Sequence, residues 1–148
     1  MIISGYSGIG KSTLASKNKN VVDLDSSLFK IDGKRFPDWY KAYVNVAVDL
    51  SRQGFIVLVS AHMSVRNELK KRNIDFYIIC PSQELKNQWV ERLNKRYQKT
   101  KLLKDLCALN DSKDNFDNDI KSMLKEKNCI IINKIEYNLY EFVQGLID

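Results

Sequence analysis

The chain has 148 residues, 44% of them hydrophobic and 28% charged, and a formal net charge of +6 from 24 basic and 18 acidic side chains. A chain of that size and balance is one folded domain that can bury about 70% of its unfolded surface, which excludes a disordered or fibrous protein. No apolar run is long enough to span a membrane. The three cysteines, Cys80, Cys107 and Cys129, are an odd number without metal-ligand spacing. They suit a reducing, cytoplasmic compartment, with Cys80 and Cys129 as buried thiols in apolar runs.

Met1 to Ser4 is a short apolar run that reads as a strand. It leads into Gly5-Tyr6-Ser7-Gly8-Ile9-Gly10-Lys11-Ser12, which fits the phosphate-binding pattern G-x-x-x-x-G-K-[ST], and a helix begins at Thr13. Because the motif begins at Gly5, no room is left for a leader peptide. Asn20 to Leu24 is a second apolar run, closed by Asp23 and Asp25. Ile31 to Pro37 is a turn-rich loop. A helix starts at Asp38 as N-cap, carries an apolar stripe of Trp39, Tyr43, Val46, Ala47 and Leu50, and stops at Gly54.

Phe55 to Ser60 is a continuous apolar run of the kind buried on both faces of a parallel sheet. A short helix with Val65 and Leu69 inward follows. Asp75 to Cys80 is the fourth strand, stopped by Pro81. Ser82 caps a helix that runs to about Arg96, with Leu85, Trp89 and Leu93 as its packing stripe. The polar segment from Lys99 to Asn128 holds two helical pieces, one marked by Leu102, Leu103 and Leu106, the other by Phe116, Ile120, Met123 and Leu124. Asn110 to Asn118 reads as a loop between them. Cys129 to Ile132 is the fifth strand, and Tyr137 to Ile147 closes the chain as a helix. Strands alternating with helices imply a three-layer α/β/α fold around a five-stranded parallel sheet, in one domain over residues 1–148.

The glycine motif carries the most chemistry. A strand running through a glycine turn into a helix aims backbone N–H groups and a positive helix end at one point. Gly5, Ser7, Gly8, Ile9, Gly10, Lys11, Ser12 and Thr13 would hold the phosphates of ATP, with Lys11 on the β/γ-phosphates and the Ser12 hydroxyl on Mg²⁺. In Asp23-Leu24-Asp25, alternation along an extended segment places both carboxylates on one face. Asp23 would hold the metal ion, and Asp25 would orient or deprotonate an acceptor hydroxyl. Asp25 capping the turn Asp25-Ser26-Ser27 is the alternative. Trp39 reads as core and the single histidine, His62, as a hydrogen-bonded structural group. The excess of positive charge attracts an anion without choosing among a nucleotide, a nucleic acid end and a phosphorylated metabolite; a solvated lysine surface with no partner is the alternative for part of it.

On these features the chain resembles the small P-loop kinases of the nucleoside-monophosphate kinase type, a group that includes shikimate and gluconate kinases. More narrowly it resembles the compact nucleotide kinases often encoded by bacteriophages. The resemblance covers nearly the whole chain. It implies a P-loop NTPase fold with strand order 2-3-1-4-5, an acceptor-binding segment at about 26–54 and a lid-like helical segment at about 82–110. It also implies roles for arginines: Arg35 and Arg66 on the phosphate of the acceptor, Arg92 and Arg96 as lid residues that neutralise the phosphoryl group in transit. Only the second strand ends in carboxylates, which argues against an ATP-driven motor. The expected activity is a Mg²⁺/ATP-dependent phosphotransferase acting on a nucleoside monophosphate. A small-metabolite kinase, a polynucleotide 5′-kinase and a non-catalytic nucleotide-binding protein are the alternatives.

Overall fold

The structure is a computed structural model that describes residues 1–148. β1 (Ile2–Gly5) is buried along its whole length, as befits an apolar strand with neighbours on both sides. Its loop enters α1 (Lys11–Lys17), which returns the chain to β2 (Val21–Asp23). A 3-10 turn at Ser26–Phe29 follows, and then a small antiparallel hairpin of β3 (Lys30–Ile31) and β4 (Lys34–Arg35). Asp32 and Gly33, at φ 52° and 77°, make the tight turn between them. The chain continues through α2 (Trp39–Arg52), β5 (Ile56–Ser60), α3 (Met63–Lys71), β6 (Tyr77–Pro81), α4 (Lys86–Thr100), α5 (Leu103–Leu124), β7 (Cys129–Ile132) and α6 (Leu139–Ile147).

Five strands form one all-parallel sheet in the order β2-β5-β1-β6-β7. In chain numbering this is 2-5-1-6-7 and not the expected 2-3-1-4-5, because the hairpin β3–β4 takes the third and fourth places along the chain. Alternate residues of the strands feed two cores. Ile2, Val57 and Val59 pack with Tyr43, Val44 and Ala47 of α2 and Val65 and Leu69 of α3. Ile3 and Leu58, of opposite parity, join the larger core built with α1, α4, α5 and α6. Helices therefore cover both faces of the sheet, and its carboxyl edge is left for loops. No helix is long and apolar enough to cross a membrane.

Three expectations need correction. The segment Lys99 to Asn128 is not two helical pieces around a loop: α5 runs unbroken for 22 residues, straight through Asn110–Asn118. Its inward face is Leu109, Ser112, Phe116, Ile120 and Met123, while Leu102 and Leu103 lie exposed at its start. Val46 of α2 is exposed, and Val44 takes the buried place. Ser82 precedes a 3-10 turn, Gln83–Leu85, and its hydroxyl caps nothing.

Candidate functional site

The turn from β1 into α1 is held from behind. Trp89 Nε1 donates to Ser7 O at 2.8 Å, Arg92 to Gly8 O at 3.3 Å and Tyr137 Oη to Ile9 O at 2.7 Å. Gly8 and Gly10 have φ of 87° and 104°, where a side chain is strained, and a Cβ on Gly8 would also meet Leu93 at 2.9 Å. Three successive carbonyls are thus fixed to α4 and to Tyr137. The amides of Gly8, Gly10, Lys11, Ser12 and Thr13 donate to no backbone carbonyl. A run of fixed, unbonded N–H groups is a nest for an anion.

Lys11 reaches into the same space. Its Nζ donates to Gly5 O at 2.7 Å and to Tyr6 O at 3.5 Å, so its partners are carbonyls and not a carboxylate. Burial lowers its pKa to about 8, against the upward pull of Asp23. An ammonium held by carbonyls alone, with no ion-pair partner, is free to meet an anion.

A cleft of about 460 Å³ opens in front of this loop, at the carboxyl ends of β1, β2 and β5. Lys11, Ser12, Asp23, Asp25, Arg35, Arg66 and Arg96 all line it. Asp23 accepts no hydrogen bond; burial raises its pKa while Lys11 opposes the rise. Asp25 accepts from Ser27 N at 2.9 Å as the cap of the 3-10 turn, and Lys104 Nζ lies 3.3 Å from its other oxygen. Burial works against its ionisation, but the Ser27 bonds and Lys104 bring its pKa below the usual range. The cap and the cleft position coexist in one residue.

Arg35 stacks over Trp39 at 4.7 Å, and its Nη2 donates to Ser26 Oγ at 3.0 Å and to His62 Nε2 at 3.1 Å. Its Nε is enclosed with no partner, as is Ser60 Oγ in the same cleft. His62 thus acts as an acceptor, a neutral ring. His62 stays exposed at the cleft mouth; desolvation by the side chains around it and then the Arg35 charge push its pKa down to about 4. Asp119, which also lines the cleft, is raised to about 7 by burial and by Asp111.

The structure separates the arginines that the sequence grouped. Arg66 is 3% exposed, and its donors go to Ala61 O, Ser122 O, Ser122 Oγ and Glu126, the last at 3.0 Å. It forms the floor of the cleft with four of its five N–H donors committed to the protein and one Nη2 hydrogen left over. Arg92 lies outside the main cleft and lines a second one. It packs against the rings of Trp89 and Tyr137 and donates to Ile135 O and Tyr137 Oη as well as to the loop. Only Arg96 of that pair faces the main cleft, with its Nε 2.8 Å from Asp105. Gly5 serves through its backbone, since a Cβ there would meet Ile9 at 2.3 Å.

Sequence reasoning missed Lys104 among many lysines and Tyr137 at the edge of a helix. It also missed a second cleft, of about 760 Å³, on the outer side of the loop. Thr13, Arg92, Tyr137, Asn138, Leu139 and Tyr140 line that cleft. No three or more His, Cys, Asp or Glu side chains converge as a metal cage. No family model and no curated protein matches the chain.

Proposed function

We propose that this chain is a Mg²⁺/ATP-dependent phosphotransferase of the P-loop kinase type. The observation that carries the reading is the nest of five unbonded loop amides with the unpaired Lys11 ammonium beside it, facing the Asp23 and Asp25 carboxylates across one cleft. The nest and Lys11 receive the phosphate chain. The second cleft, which offers the exposed ring of Tyr140 beside Leu139, receives the nucleoside. Ser12 Oγ and the hydrogen-bond-free Asp23 carboxylate are hard oxygen donors on either side of the phosphate position. They fit Mg²⁺, which takes one or two protein oxygens and completes its shell with phosphate and water. The ion would neutralise charge on the phosphates.

The acceptor hydroxyl lies against Asp25, which takes its proton as the acceptor oxygen bonds to the γ-phosphorus. The bond from that phosphorus to the β–γ bridging oxygen breaks, and ADP leaves with the electron pair. Arg35 holds the anionic part of the acceptor with its Nη1, since Nη2 is the nitrogen committed to Ser26 and His62. A nucleoside monophosphate is the first choice of acceptor. One observation favours a second class, small hydroxylated anions such as sugar acids. The acceptor side of the cleft is walled by Ser26, Ser27 and Ser60, and the face of Trp39 is already covered by Arg35.

The test has two parts. Saturating Mg-ATP at ~100 times its Kd should stabilise the native state by about 2.7 kcal/mol, several degrees in Tm, and Lys11→Met should remove most of that shift. ATP consumption measured against nucleoside monophosphates, hydroxy acids and sugar acids should then rise with one class. A Tm unmoved by Mg-ATP sinks the proposal.

A further inference from the structure

Resting on the phosphotransferase reading, we infer that Lys104 is a further catalytic residue, the cation that meets the phosphoryl group in transit and waits on Asp25 until nucleotide enters. Lys104 Nζ reaches Asp25 across the cleft from a position 79 residues away in sequence. The reach is prepared by the corner between α4 and α5. Lys101 turns it at φ 55°, and Asp105, 3% exposed, accepts from both Thr100 Oγ1 and Arg96 Nε. Asp105 therefore fixes the first turn of α5, and the neighbouring Lys104 is delivered to the cleft by a rigid corner.

Stability does not account for the contact. Both partners are more than a third exposed, at 45% and 36%, and exposed pairs contribute about 1 kcal/mol at most. Position does. The phosphoryl group leaves a donor held by Lys11 and arrives at a hydroxyl held by Asp25, so a cation bonded to Asp25 stands beside that path. In transit the group spreads negative charge over three oxygens. A lysine stem can turn its ammonium from a carboxylate to such an oxygen with little backbone movement. The exchange also uncovers Asp25 for the acceptor hydroxyl. Arg96, whose charge acts on Lys11, is the second cation on this side of the cleft.

The experiment uses the full chain and two probes, Mg-ADP and the non-hydrolysable Mg-AMP-PNP, with titration calorimetry on wild type, Lys104→Met, Lys104→Arg and, as an exposed control, Lys99→Met. Wild type, Lys104→Arg and Lys99→Met should prefer the triphosphate analogue. Lys104→Met should bind Mg-ADP within about twofold of wild type and lose about tenfold of that preference, the scale of one charge-assisted hydrogen bond. If Lys104→Met keeps the wild-type preference, or if wild type has none, Lys104 is a structural tie and the inference is overturned. If wild type binds neither probe, the phosphotransferase reading itself fails and takes the inference with it.

Discussion

Asp25 shows how one residue can look structural and still be placed for chemistry. It caps the 3-10 turn through Ser27 N and also lines the cleft. Asparagine caps as well as aspartate but cannot accept a proton. Asp25→Asn should therefore leave the Tm and the Mg-ATP affinity close to wild type while lowering turnover by about 10²-fold or more, the usual scale of a lost general base. Near-normal turnover in that variant would leave Asp25 with its capping role alone. His62 supplies a second residue-scale prediction. Its pKa is depressed, so the folded state disfavours the proton. By linkage its contribution to stability is full above the ordinary histidine range and is lost as pH falls from about 6.5 toward the folded value. An NMR titration should place the His62 midpoint below 6.5, and Arg35→Met should move it upward by removing the adjacent charge. A midpoint at or above 6.5 in the wild type would mean that neither desolvation nor the Arg35 charge acts on the ring.

At the scale of elements, α4 acts as a brace for the glycine loop. Arg92→Ala removes the bonds to Gly8 O, Ile135 O and Tyr137 Oη at once. It should cost about 2 kcal/mol or more, roughly 5 °C in Tm, and weaken ADP and ATP binding equally, because the loop that holds both loses its support. A variant with wild-type Tm and a loss confined to kcat would restore the lid role that the sequence suggested. The glycine motif and its strand were legible because each depends on a few adjacent residues. The strand Ile56–Ser60 was legible because an interior strand covered by helices on both sides has no polar face. The continuity of α5 was hidden by Ser112. That residue occupies an inward position and is satisfied by Tyr6 Oη at 2.7 Å, so the apolar period appears broken where the helix is not. The hairpin hung on a single Asp32-Gly33 turn between strands of two residues, too short to show a pattern. In the site, Lys11, Asp23 and Asp25 followed from local sequence. The commitments of Arg66 to Glu126 and of Lys104 to Asp25 join residues 60 and 79 positions apart, which no local reading reaches.

Across the whole molecule, the distribution of charge decides between small and polymeric partners. Six basic and five acidic side chains line the main cleft. The cleft therefore holds only one of the six excess positive charges of the chain, and the rest lie elsewhere on the surface. A nucleic acid end drawn into a kinase site would need a basic track leading to it, since its backbone brings a phosphate charge with every nucleotide. Here Asp105, Asp111 and Asp119 share the wall with Lys104 and Arg96. That balance suits a small acceptor held by a few directed bonds. Short single-stranded 5′-hydroxyl oligonucleotides should bind weakly at ~50 mM salt, release as salt rises, and leave Mg-ATP binding unchanged, because they meet scattered surface lysines and not the cleft. The measurement is fluorescence anisotropy of a labelled oligonucleotide across a salt series, with and without Mg-ATP. Saturable binding that persists at ~150 mM salt and accelerates ATP turnover would reverse this assignment and make the polymer end the acceptor.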